Sequence, residues 1–542
     1  MKLLSPAATS VVATLFVLTG CGGGGNSGGQ TTPQPTPNPT PVDPTPVVDH
    51  SGLTPLTADT LDANEYYSGG EATVKVANED AFSRRPAAII NDFQLDGFFT
   101  SGDHLFRTPH RDIGPLLSTG NCQGCHLNDG KGKVPSSVDT PMTSMFLKIG
   151  KAEGGPDPVY GGQLQTFAVQ SFTTSDASSG LPSYNGSTNG NALFGEAYAF
   201  VEYQTINGTY PDGQTYQLRN PVYKVRDLSF GPFGPTVRLS PRVAPAIFGS
   251  GLLEAIPDSN IHLLADENDS NNDGISGRVS LTTDVLTGEQ RIGRFSYKAQ
   301  NPSVLQQISA AYRGDIGLTN KLFPQEACTD LQPACQFVAA QETQTGSEVD
   351  FSDRELALVE FYNRVLAVPA RRGYDEANDS WDDTIVKGRK LFFDVGCVNC
   401  HVPRHKTAIA NGSVLGEITL TGLEPDAEPI AVLSNQLIFP YTDLLLHDMG
   451  GSCEISRETA TGNSCSDGAQ CLYVQRCEGL ADGLGEGVAS GTEWKTPALW
   501  GVGLVQTVNP QATFLHDGRA RTLEEAILWH GGESQASNTA FQ

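Results

Sequence analysis

Cys122-Gln123-Gly124-Cys125-His126 and Cys397-Val398-Asn399-Cys400-His401 are two copies of the five-residue pattern Cys-x-x-Cys-His. In this pattern the two thiols form thioethers with the vinyl groups of a c-type haem, and the adjacent histidine takes one axial position on the iron. A pair of Cys-x-x-Cys sites for zinc or redox chemistry is the alternative, but neither kind of site needs the histidine that follows. The sequence therefore predicts two covalently bound haem c groups, attached to Cys122 and Cys125 and to Cys397 and Cys400.

The first 60 residues are predicted to be a leader and a tether outside the folded domains. Residues 1–20 contain one apolar run that is too short to span a bilayer and is typical of a signal peptide. Leu18-Thr-Gly-Cys21 resembles a bacterial lipobox, and an ordinary signal peptide with a chance cysteine is the alternative. Residues 21–60 are rich in Gly and Pro, which makes a flexible and extended tether. We therefore expect an anchor through lipid on Cys21, on the periplasmic side of a bacterial membrane and most of all the outer membrane.

The charge balance argues against one class of partners. The chain has 61 acidic and 35 basic residues and a formal net charge of -26, whereas a nucleic-acid-binding surface is basic. An acidic surface permits a basic electron-donor protein, although it is more often a solubility device. The roughly 480 residues after the tether are too many for one core, so we expect two domains.

Six cysteines remain after the lipid and haem positions are set aside. They are Cys328, Cys335, Cys453, Cys465, Cys471 and Cys477. Six cysteines in an oxidising compartment suggest three disulfides. Cys328 and Cys335 form a natural local pair. The other four lie in a Gly/Ser/Thr-rich insert, and the sequence leaves their pairing open.

We predict a mainly α fold built from two cytochrome c-like haem domains. The N-terminal domain is expected to span residues 80–345, with a β-rich insert at about 150–235 that includes a hairpin around Pro211-Asp-Gly213. The C-terminal domain is expected to span residues 350–542, with a loop insert pinned by disulfides. A helix that begins with a capping box of Ser352 and Glu355 opens this second domain. The haem motif is the one internal duplication that we recognise.

The last predicted helix places a histidine on an apolar face. Thr522 is a suitable N-cap, and Glu525 would complete a capping box. Leu523, Ile527 and His530 then share one face of the helix. Such a histidine is either a satisfied core residue or, in a protein with two haem irons, a ligand.

Five further motifs extend across both predicted domains. They are Leu239-Ser-Pro-Arg242-Val-Ala-Pro245, Gly251-Leu-Leu-Glu254-Ala-Ile-Pro257, Asp273-Gly-Ile-Ser-Gly-Arg278, Pro440-Tyr-Thr-Asp-Leu-Leu-Leu-His447-Asp-Met-Gly450 and Phe514-Leu-His516-Asp-Gly-Arg519. In combination they resemble the di-haem oxidoreductase family, which is also labelled thiol oxidoreductase. This family is distantly related to the bacterial di-haem cytochrome c peroxidases. The resemblance implies the cofactors better than the substrate, because the activity of the family is itself mostly inferred.

The resemblance implies that His126 and His401 are proximal ligands and that His530 is a distal one. In the related peroxidases the electron-transfer haem takes its second axial ligand, usually Met, at the position of His530. Bis-His ligation would lower the reduction potential relative to His/Met ligation. His447 and Met449 lie in a motif of their own and are the competing candidates.

The resemblance also implies that the first haem is catalytic and that a distal carboxylate moves a proton between the two peroxide oxygens. Glu254 is the candidate for this carboxylate, and a structural cap on the turn at Ile256-Pro257 is the alternative. Met142 and Met145 follow the first haem motif, where they are either a displaceable ligand or core residues.

Two smaller features complete the expected site. Asp269-Ser-Asn271-Asn-Asp273-Gly274 matches the start of a calcium loop but has Ser280 at position twelve, so Ca²⁺ and a series of Asx turns both stay open. The family usually carries Trp where this chain has Tyr297. If that aromatic residue relays electrons between the haems, the change puts the route in doubt.

We therefore expect a di-haem c-type oxidoreductase that reduces hydrogen peroxide with electrons passed from the C-terminal to the N-terminal haem. Its expected partners are hydrogen peroxide, or a similar small oxidant, and a small redox donor such as a cytochrome c. The alternatives are a di-haem electron carrier without peroxidase activity and an oxidase or oxygenase of an organic substrate. Thiol oxidation has only the family label in its favour. An electron carrier needs both irons closed by two ligands, whereas a peroxidase needs one iron that opens.

Overall fold

A computed structural model describes most of the chain beyond the tether. The described residues are 53, 56–58, 61–110, 113–168, 195–333, 335–336, 339, 349–413, 415, 430–466 and 471–542. The predicted signal peptide, Cys21 and most of the tether lie outside these ranges, so the lipid anchor stays a prediction. Within them, no helix has both the length and the apolar character needed to cross a bilayer.

Short helices and strands alternate along the described chain. The helices are α1 (Ala87–Ile90), α2 (Phe93–Arg107), α3 (Ser250–Glu254), α4 (Asp258–Leu264), α5 (Val304–Ala311), α6 (Asp353–Val365), α7 (Asp383–Asp394), α8 (Val505–Val508), α9 (Leu523–Leu528) and α10 (Gln535–Phe541). The strands are β1 (Thr73–Val74), β2 (Leu116–Leu117), β3 (Met145–Lys151), β4 (Gln163–Leu164), β5 (Phe167–Ala168), β6 (Tyr198–Thr209), β7 (Thr215–Arg226), β8 (Val237–Val243), β9 (Leu281–Thr283), β10 (Gln290–Ile292), β11 (Val368–Pro369), β12 (Tyr374–Asp375), β13 (Ser380–Trp381), β14 (His405–Lys406), β15 (Leu437–Ile438), β16 (Leu446–Asp448), β17 (Ser452–Glu458), β18 (Leu472–Glu478) and β19 (Glu493–Lys495). Most strands form two-stranded ribbons, beside a three-stranded sheet in the order β4-β3-β8 and one four-stranded sheet.

The prediction of a mainly α fold is wrong. The described residues are 27% helical and 22% strand, so both kinds of element build the core. The helical expectation came from analogy with small cytochromes, whereas several segments between the haem motifs follow the two-residue period of a strand. In β3, for example, Met145, Leu147 and Ile149 are buried on one face, and the residues between them are half-buried.

Helices α2 and α6 pack against each other beside the first haem motif. The predicted capping box of Ser352 and Glu355 begins α6, and this prediction is confirmed. Gly102 lies at the contact, because a Cβ there would overlap the carbonyl oxygen of Leu358. Helix α2 also touches the turn Cys122–Gly124. The helix pair therefore supports the motif from one side.

The four-stranded sheet joins the two predicted inserts. Its strand order is β17-β18-β7-β6, so the hairpin of residues 198–226 pairs with the hairpin of residues 452–478. The prediction of a loop insert in the second domain is therefore wrong, because its strands complete their hydrogen bonds on the first insert. The predicted boundary between residues 345 and 350 stays a prediction.

Three disulfides hold the described chain. Cys328 pairs with Cys335, as predicted, and the two pairings that the sequence left open are Cys453–Cys477 and Cys465–Cys471. Cys453 lies directly opposite Cys477 in the β17–β18 ladder. The second insert is thus pinned by cross-links across a hairpin.

Two copies of a larger unit surround the two haem motifs, so the expectation that only the haem motif is repeated is wrong. In the first copy β3 pairs with β8, and Met145 lies opposite Val243. In the second copy β16 pairs with β19, and Leu446 lies opposite Lys495 in the same register. We call residues 93–316 the first copy and residues 383–530 the second copy.

A reciprocal pair of glycines joins the copies. Gly249 and Gly501 both have left-handed φ, of 72° and 66°. A Cβ on Gly249 would lie 2.5 Å from the ring of Trp500, and a Cβ on Gly501 would lie 2.8 Å from the ring of Phe248. Both positions therefore require glycine for its conformation and for its size.

Gly501→Ala is expected to destabilise the protein by about 1–3 kcal/mol, because alanine would adopt a left-handed φ and displace the Phe248 ring. Gly213→Ala is the matched control, since Gly213 also has a positive φ, of 92°, but nothing lies within 4 Å of its Cβ position. Thermal unfolding of the two variants and the parent protein measures the difference. Equal losses in both variants would contradict the reciprocal packing.

The segments that lead to the last helix of each copy also match. Phe295 forms an isolated bridge with Asn301, and Phe514 forms the same bridge with Ala520. Helix α5 follows the first bridge and helix α9 follows the second. The two helices therefore occupy equivalent places in the two copies.

These segments exchange backbone hydrogen bonds between the copies. The amide of Val243 in the first copy donates to the carbonyl oxygen of His516 in the second copy at 2.8 Å. The amide of Lys495 in the second copy donates to the carbonyl oxygen of Tyr297 in the first copy at 2.9 Å. The two copies are thus related by a pseudo-twofold arrangement in which each completes the other.

Candidate functional site

The four haem-motif thiols are available for attachment. Each Cys-x-x-Cys segment forms a 3₁₀ turn, at Cys122–Gly124 and at Cys397–Asn399. The four cysteines of the two motifs are not in disulfides, whereas the other six cysteines among the described residues are paired. In the first turn Asn121 accepts a hydrogen bond from the amide of Gly124 at 2.8 Å, which holds the turn closed.

Both proximal histidines are held in the tautomer that a haem iron needs. The Nδ1–H of His126 donates to the carbonyl oxygen of Pro245 at 2.7 Å, and the Nδ1–H of His401 donates to that of Tyr441 at 3.0 Å. Burial lowers the pKa of each histidine to about 4, so both rings are neutral. The Nε2 lone pairs are then left for a metal. Two thiols and one such histidine in each motif fit haem c.

His530 offers the second copy another neutral histidine. Thr522 caps α9 as predicted, but Glu525 accepts from the amide of Arg521 instead of completing the capping box. The Nδ1–H of His530 donates to the carbonyl oxygen of Ala526 at 2.7 Å, and burial lowers the pKa of His530. Burial is the main cause of the lowered pKa of His401, and the charge of a protonated His530 would lower it further.

His447 is committed to two carboxylates. Its Nε2 contacts Asp443 and its Nδ1 contacts Glu533, each at 2.9 Å. Burial opposes the charge, but the hydrogen bonds with Asp443, Cys400 and Glu533 raise the pKa of His447 to about 12. A protonated ring has no lone pair for iron. Of the two candidate histidines, the geometry therefore favours His530, and the sulfur of Met449 lies beside Ser534 at 3.9 Å.

The first copy has no histidine at the position of His530. Ser303 caps α5 as Thr522 caps α9, each accepting from the amide three residues on. Eight residues after Thr522 stands His530, and eight residues after Ser303 stands Ala311. Met142 and Met145, the other candidate ligands, are buried in a core cluster.

The structure places Glu254 in a buried ion pair. One oxygen of Glu254 accepts from the amide of Val304 at 2.8 Å, and the other lies 2.9 Å from Nε of Arg364. Nearby, burial raises the pKa of Glu360 to about 7. Glu254 thus ties α3 to α6 and to the first residue of α5, about 10 Å along that helix from Ala311.

Asp315 is the acidic residue that sequence reasoning missed. It lies in a π-helical turn, Tyr312–Ile316, directly after α5, and π-turns are frequent at functional sites. Its carbonyl oxygen accepts from the amides of Ser118 and Thr119, just before the first haem motif, at 2.7 and 2.9 Å. Its carboxylate accepts from Nε2 of Gln163 at 2.7 Å.

The environment of Asp315 tunes its proton affinity. Burial raises the pKa of Asp315 to about 6, against the opposing effects of the Gln163 hydrogen bond and the charge of Lys148. Burial is the main cause of the raised pKa of Cys122 and Cys125, and the charge of Asp315 adds to it. Alignment of Ser303 with Thr522 is the signal that would have led to this residue.

The candidate calcium loop is a series of Asx turns. Asp269 accepts from the amides of Asp273 and Gly274, and Asn271 also accepts from the amide of Asp273. Among the described residues, no three His, Cys, Asp or Glu side chains form a group that could hold a metal ion. Calcium at this loop stays a prediction.

An aromatic cluster of Tyr297, Trp494 and His516 lies where the copies meet. The ring of Tyr297 is 6.4 Å from Trp494 and 6.3 Å from His516, and Trp494 stacks on His516 at 3.7 Å. The hydroxyl of Tyr297 donates to the carbonyl oxygen of Val243 at 2.9 Å. Trp494 lies opposite His447 in the β16–β19 ladder. The cluster therefore connects the surroundings of the two haem motifs.

Comparison with known proteins gives one extensive match. A family model described as "Di-haem oxidoreductase, putative peroxidase" matches residues 63–468 and 465–542. No curated protein matches the chain. A solved structure of Kuenenia stuttgartiensis hydrazine synthase, pressurised with xenon, is 17% identical with a TM-score of 0.19, over 54% of this chain and 87% of that chain. A likeness at that level carries no argument.

Proposed function

Because this chain belongs to the di-haem oxidoreductase family, we propose that it is a peroxidase that reduces hydrogen peroxide at the haem of its first copy. One difference between the copies carries this proposal. His530 stands after α9 where Ala311 ends α5. A histidine at that place could supply a second protein ligand to a bound haem, whereas an alanine could not and would leave that position free for a small oxidant.

Each copy has its own set of residues that would hold a haem. Cys122, Cys125 and His126 would hold the first haem, and Cys397, Cys400, His401 and His530 would hold the second. A bound haem c supplies a redox-active iron that exchanges single electrons at a potential set by its axial ligands. The carbonyl oxygens of Pro245 and Tyr441 orient the proximal histidines and keep their protons on Nδ1.

The protein's own part in the peroxide step is proton transfer by Asp315. Gln163 holds one carboxylate oxygen of Asp315 in place. The carboxylate accepts a proton from one oxygen of hydrogen peroxide and delivers it to the other, which leaves as water when the O–O bond breaks. The complete reaction consumes two electrons and two protons for each peroxide and releases two waters. Glu254, already paired with Arg364, is not needed for this step.

Peroxide reduction is expected to rise with pH through a midpoint near 6, the pKa to which burial raises Asp315. Asp315 acts first as a base, so the carboxylate is its active form. That form increases about tenfold per pH unit below the pKa and levels off above it. The measurement is kcat/KM for hydrogen peroxide from about pH 5 to pH 8. A profile that falls as the pH rises through 6 would contradict this role.

The second haem is proposed to collect electrons one at a time from a small donor such as a cytochrome c. Bis-His ligation by His401 and His530 would give it a low potential, which favours passing electrons onward. The aromatic cluster supplies a packed route toward Val243 and the first haem motif. In this proposal Trp494 supplies the tryptophan of the electron route, which the family usually has at position 297.

His530→Met is expected to raise the potential of the second haem, because thioether ligation stabilises the reduced iron. The shift should be on the order of 0.1 V or more, within the roughly 0.8 V range that axial ligands cover. Redox titration of the haem-loaded protein measures it. His262→Met, an exposed histidine on α4, is the control. An unchanged potential in His530→Met would assign the distal ligand to another residue.

The location of the protein is part of the proposal. The Leu18-Thr-Gly-Cys21 sequence supports lipidation on Cys21 and a site on the periplasmic face of a bacterial membrane, the outer membrane in particular. Three disulfides fit an oxidising compartment. Mass spectrometry of the mature N-terminus tests the anchor.

The experiment that tests the function is EPR and visible spectroscopy of the haem-loaded protein, fully oxidised and half-reduced, before and after hydrogen peroxide. One high-spin ferric haem whose spectrum responds to peroxide, beside one low-spin haem, is the expected result. Two low-spin haems in both states, with no response to peroxide, would overturn the proposal and leave an electron carrier.

A further inference from the structure

The outer half of the β6–β7 hairpin extends beyond its sheet. The two strands pair along their full length, from Tyr198 opposite Arg226 to Thr209 opposite Thr215. Strand β18 pairs only with residues 222–225 of β7. A two-stranded hairpin alone is marginally stable in water, so the outer half needs another support.

That support is a segment of the second copy, residues 517–524, which we call the clasped segment. Arg219 on β7 donates from Nη2 to the carbonyl oxygen of Gly518 at 2.8 Å and from Nε to that of Arg519 at 3.1 Å. Its guanidinium also lies 4.2 Å from the ring centroid of Tyr203 on β6. The planar fork of arginine is thus fixed on one side by the hairpin and on the other by two backbone carbonyls.

Further bonds follow the same line. They are Tyr223 Oη to Asp517 at 3.0 Å, Arg521 Nη2 to the carbonyl oxygen of Gln217 at 3.0 Å, and Tyr210 Oη to Glu524 at 2.7 Å. The contacts run from the root of the hairpin to its tip. The hairpin therefore holds the clasped segment along its whole length.

The clasped segment leads directly to His530. It includes the N-cap of α9, and the helix ends just before that histidine. The guanidinium of Arg519 also lies 4.7 Å from the ring centroid of Trp529, the residue next to His530. A shift of the segment would therefore move both ends of the helix that presents His530.

We propose that the β6–β7 hairpin is a positioning element for the second haem, and that Arg219 keeps His530 in place as its distal ligand. The hairpin belongs to the first copy, so the first copy sets the ligation of the haem in the second. This inference rests on the proposed ligation by His530 and is independent of whether the first haem reduces peroxide.

The test uses the full haem-loaded chain and measures the low-spin EPR signal of the second haem. This signal is the one that His530→Ala is expected to remove. Arg219→Ala is expected to lower that signal by about half or more, because the binding-competent position of His530 becomes a minor state. Arg219→Lys keeps the charge but not the planar fork of the guanidinium. Its low-spin signal should lie between those of the parent protein and Arg219→Ala. Lys224→Ala is the matched control, since Lys224 lies at the root of β7 and pairs with Glu202 at 2.8 Å.

Three results would overturn the proposal. The first is Arg219→Ala with a lower unfolding temperature and the full low-spin signal. The second is an equal loss of signal in Lys224→Ala. The third is a signal that survives His530→Ala, which would remove the ligation premise and leave peroxide reduction to its own test. If Arg219→Ala does not fold, Tyr210→Phe decides by the same signal, since it removes one hydroxyl at the hairpin tip.

Discussion

Asp315→Asn is expected to lower kcat/KM for hydrogen peroxide by about 10²- to 10⁴-fold, the usual contribution of a positioned acid–base group. Asparagine keeps the size of the side chain and can still bond to Gln163, but it cannot carry a proton between the peroxide oxygens. The rise of kcat/KM with pH near 6 should also disappear in this variant. Steady-state kinetics on protein with full haem content measures both effects.

Glu254→Gln is the informative comparison for Asp315→Asn. Its expected effect is a loss of stability, on the order of 1–3 kcal/mol, because the guanidinium of Arg364 loses the nearer of its two charged partners, Glu254 and Glu360, in a buried site. Peroxide kinetics should change little. The opposite result, normal kinetics in Asp315→Asn and a large loss in Glu254→Gln, would restore the role that the family resemblance implied for Glu254.

Ala311→His is expected to lower kcat/KM for hydrogen peroxide by about 10²-fold or more, because the first haem would gain the kind of ligand proposed for the second. Enzymes of this kind need an open coordination position for the oxidant, and a strong sixth ligand competes for it. The EPR spectrum should then show two low-spin haems. The protein would become the electron carrier that was the alternative function.

The control for Ala311→His is Ala311→Leu, which adds a side chain of comparable size without a ligand atom. Ala311→Leu should keep the first haem high-spin, even if the larger side chain slows the approach of the oxidant to the haem. If the first haem of Ala311→His stays high-spin and the variant still reduces peroxide, α5 does not present position 311 to the first haem. The correspondence of Ala311 with His530 would then not extend to their side chains.

The haem motifs, the Ser352 capping box and the Cys328–Cys335 disulfide were predictable because each depends on residues close in sequence. The four-stranded sheet was not, since β7 and β18 lie in separate inserts and no local pattern specifies that they pair. The fold class failed for a related reason. Small cytochromes are helical, whereas several segments of this chain, such as β3, follow the two-residue period of a strand.

The choice between Glu254 and Asp315 raises a different problem. The duplication is preserved in backbone geometry, as in Ser296 and Leu515 with φ of 69° and 68°, while the side chains have diverged. Ala311 and His530 share a place in the fold but no chemistry. A comparison of residues alone therefore detects the haem motif and misses the unit around it, including the turn that carries Asp315.

The exchange of hydrogen bonds between the copies, Val243 to His516 and Lys495 to Tyr297, is the pattern that a symmetric dimer of one-haem subunits would have if its genes were later fused. In a homodimer a substitution changes both subunits at once, so both irons must keep the same ligands. Fusion removes that constraint. One position of the repeated unit can then hold histidine at 530 and alanine at 311, so the ligands offered to the two proposed haems can differ within a single chain.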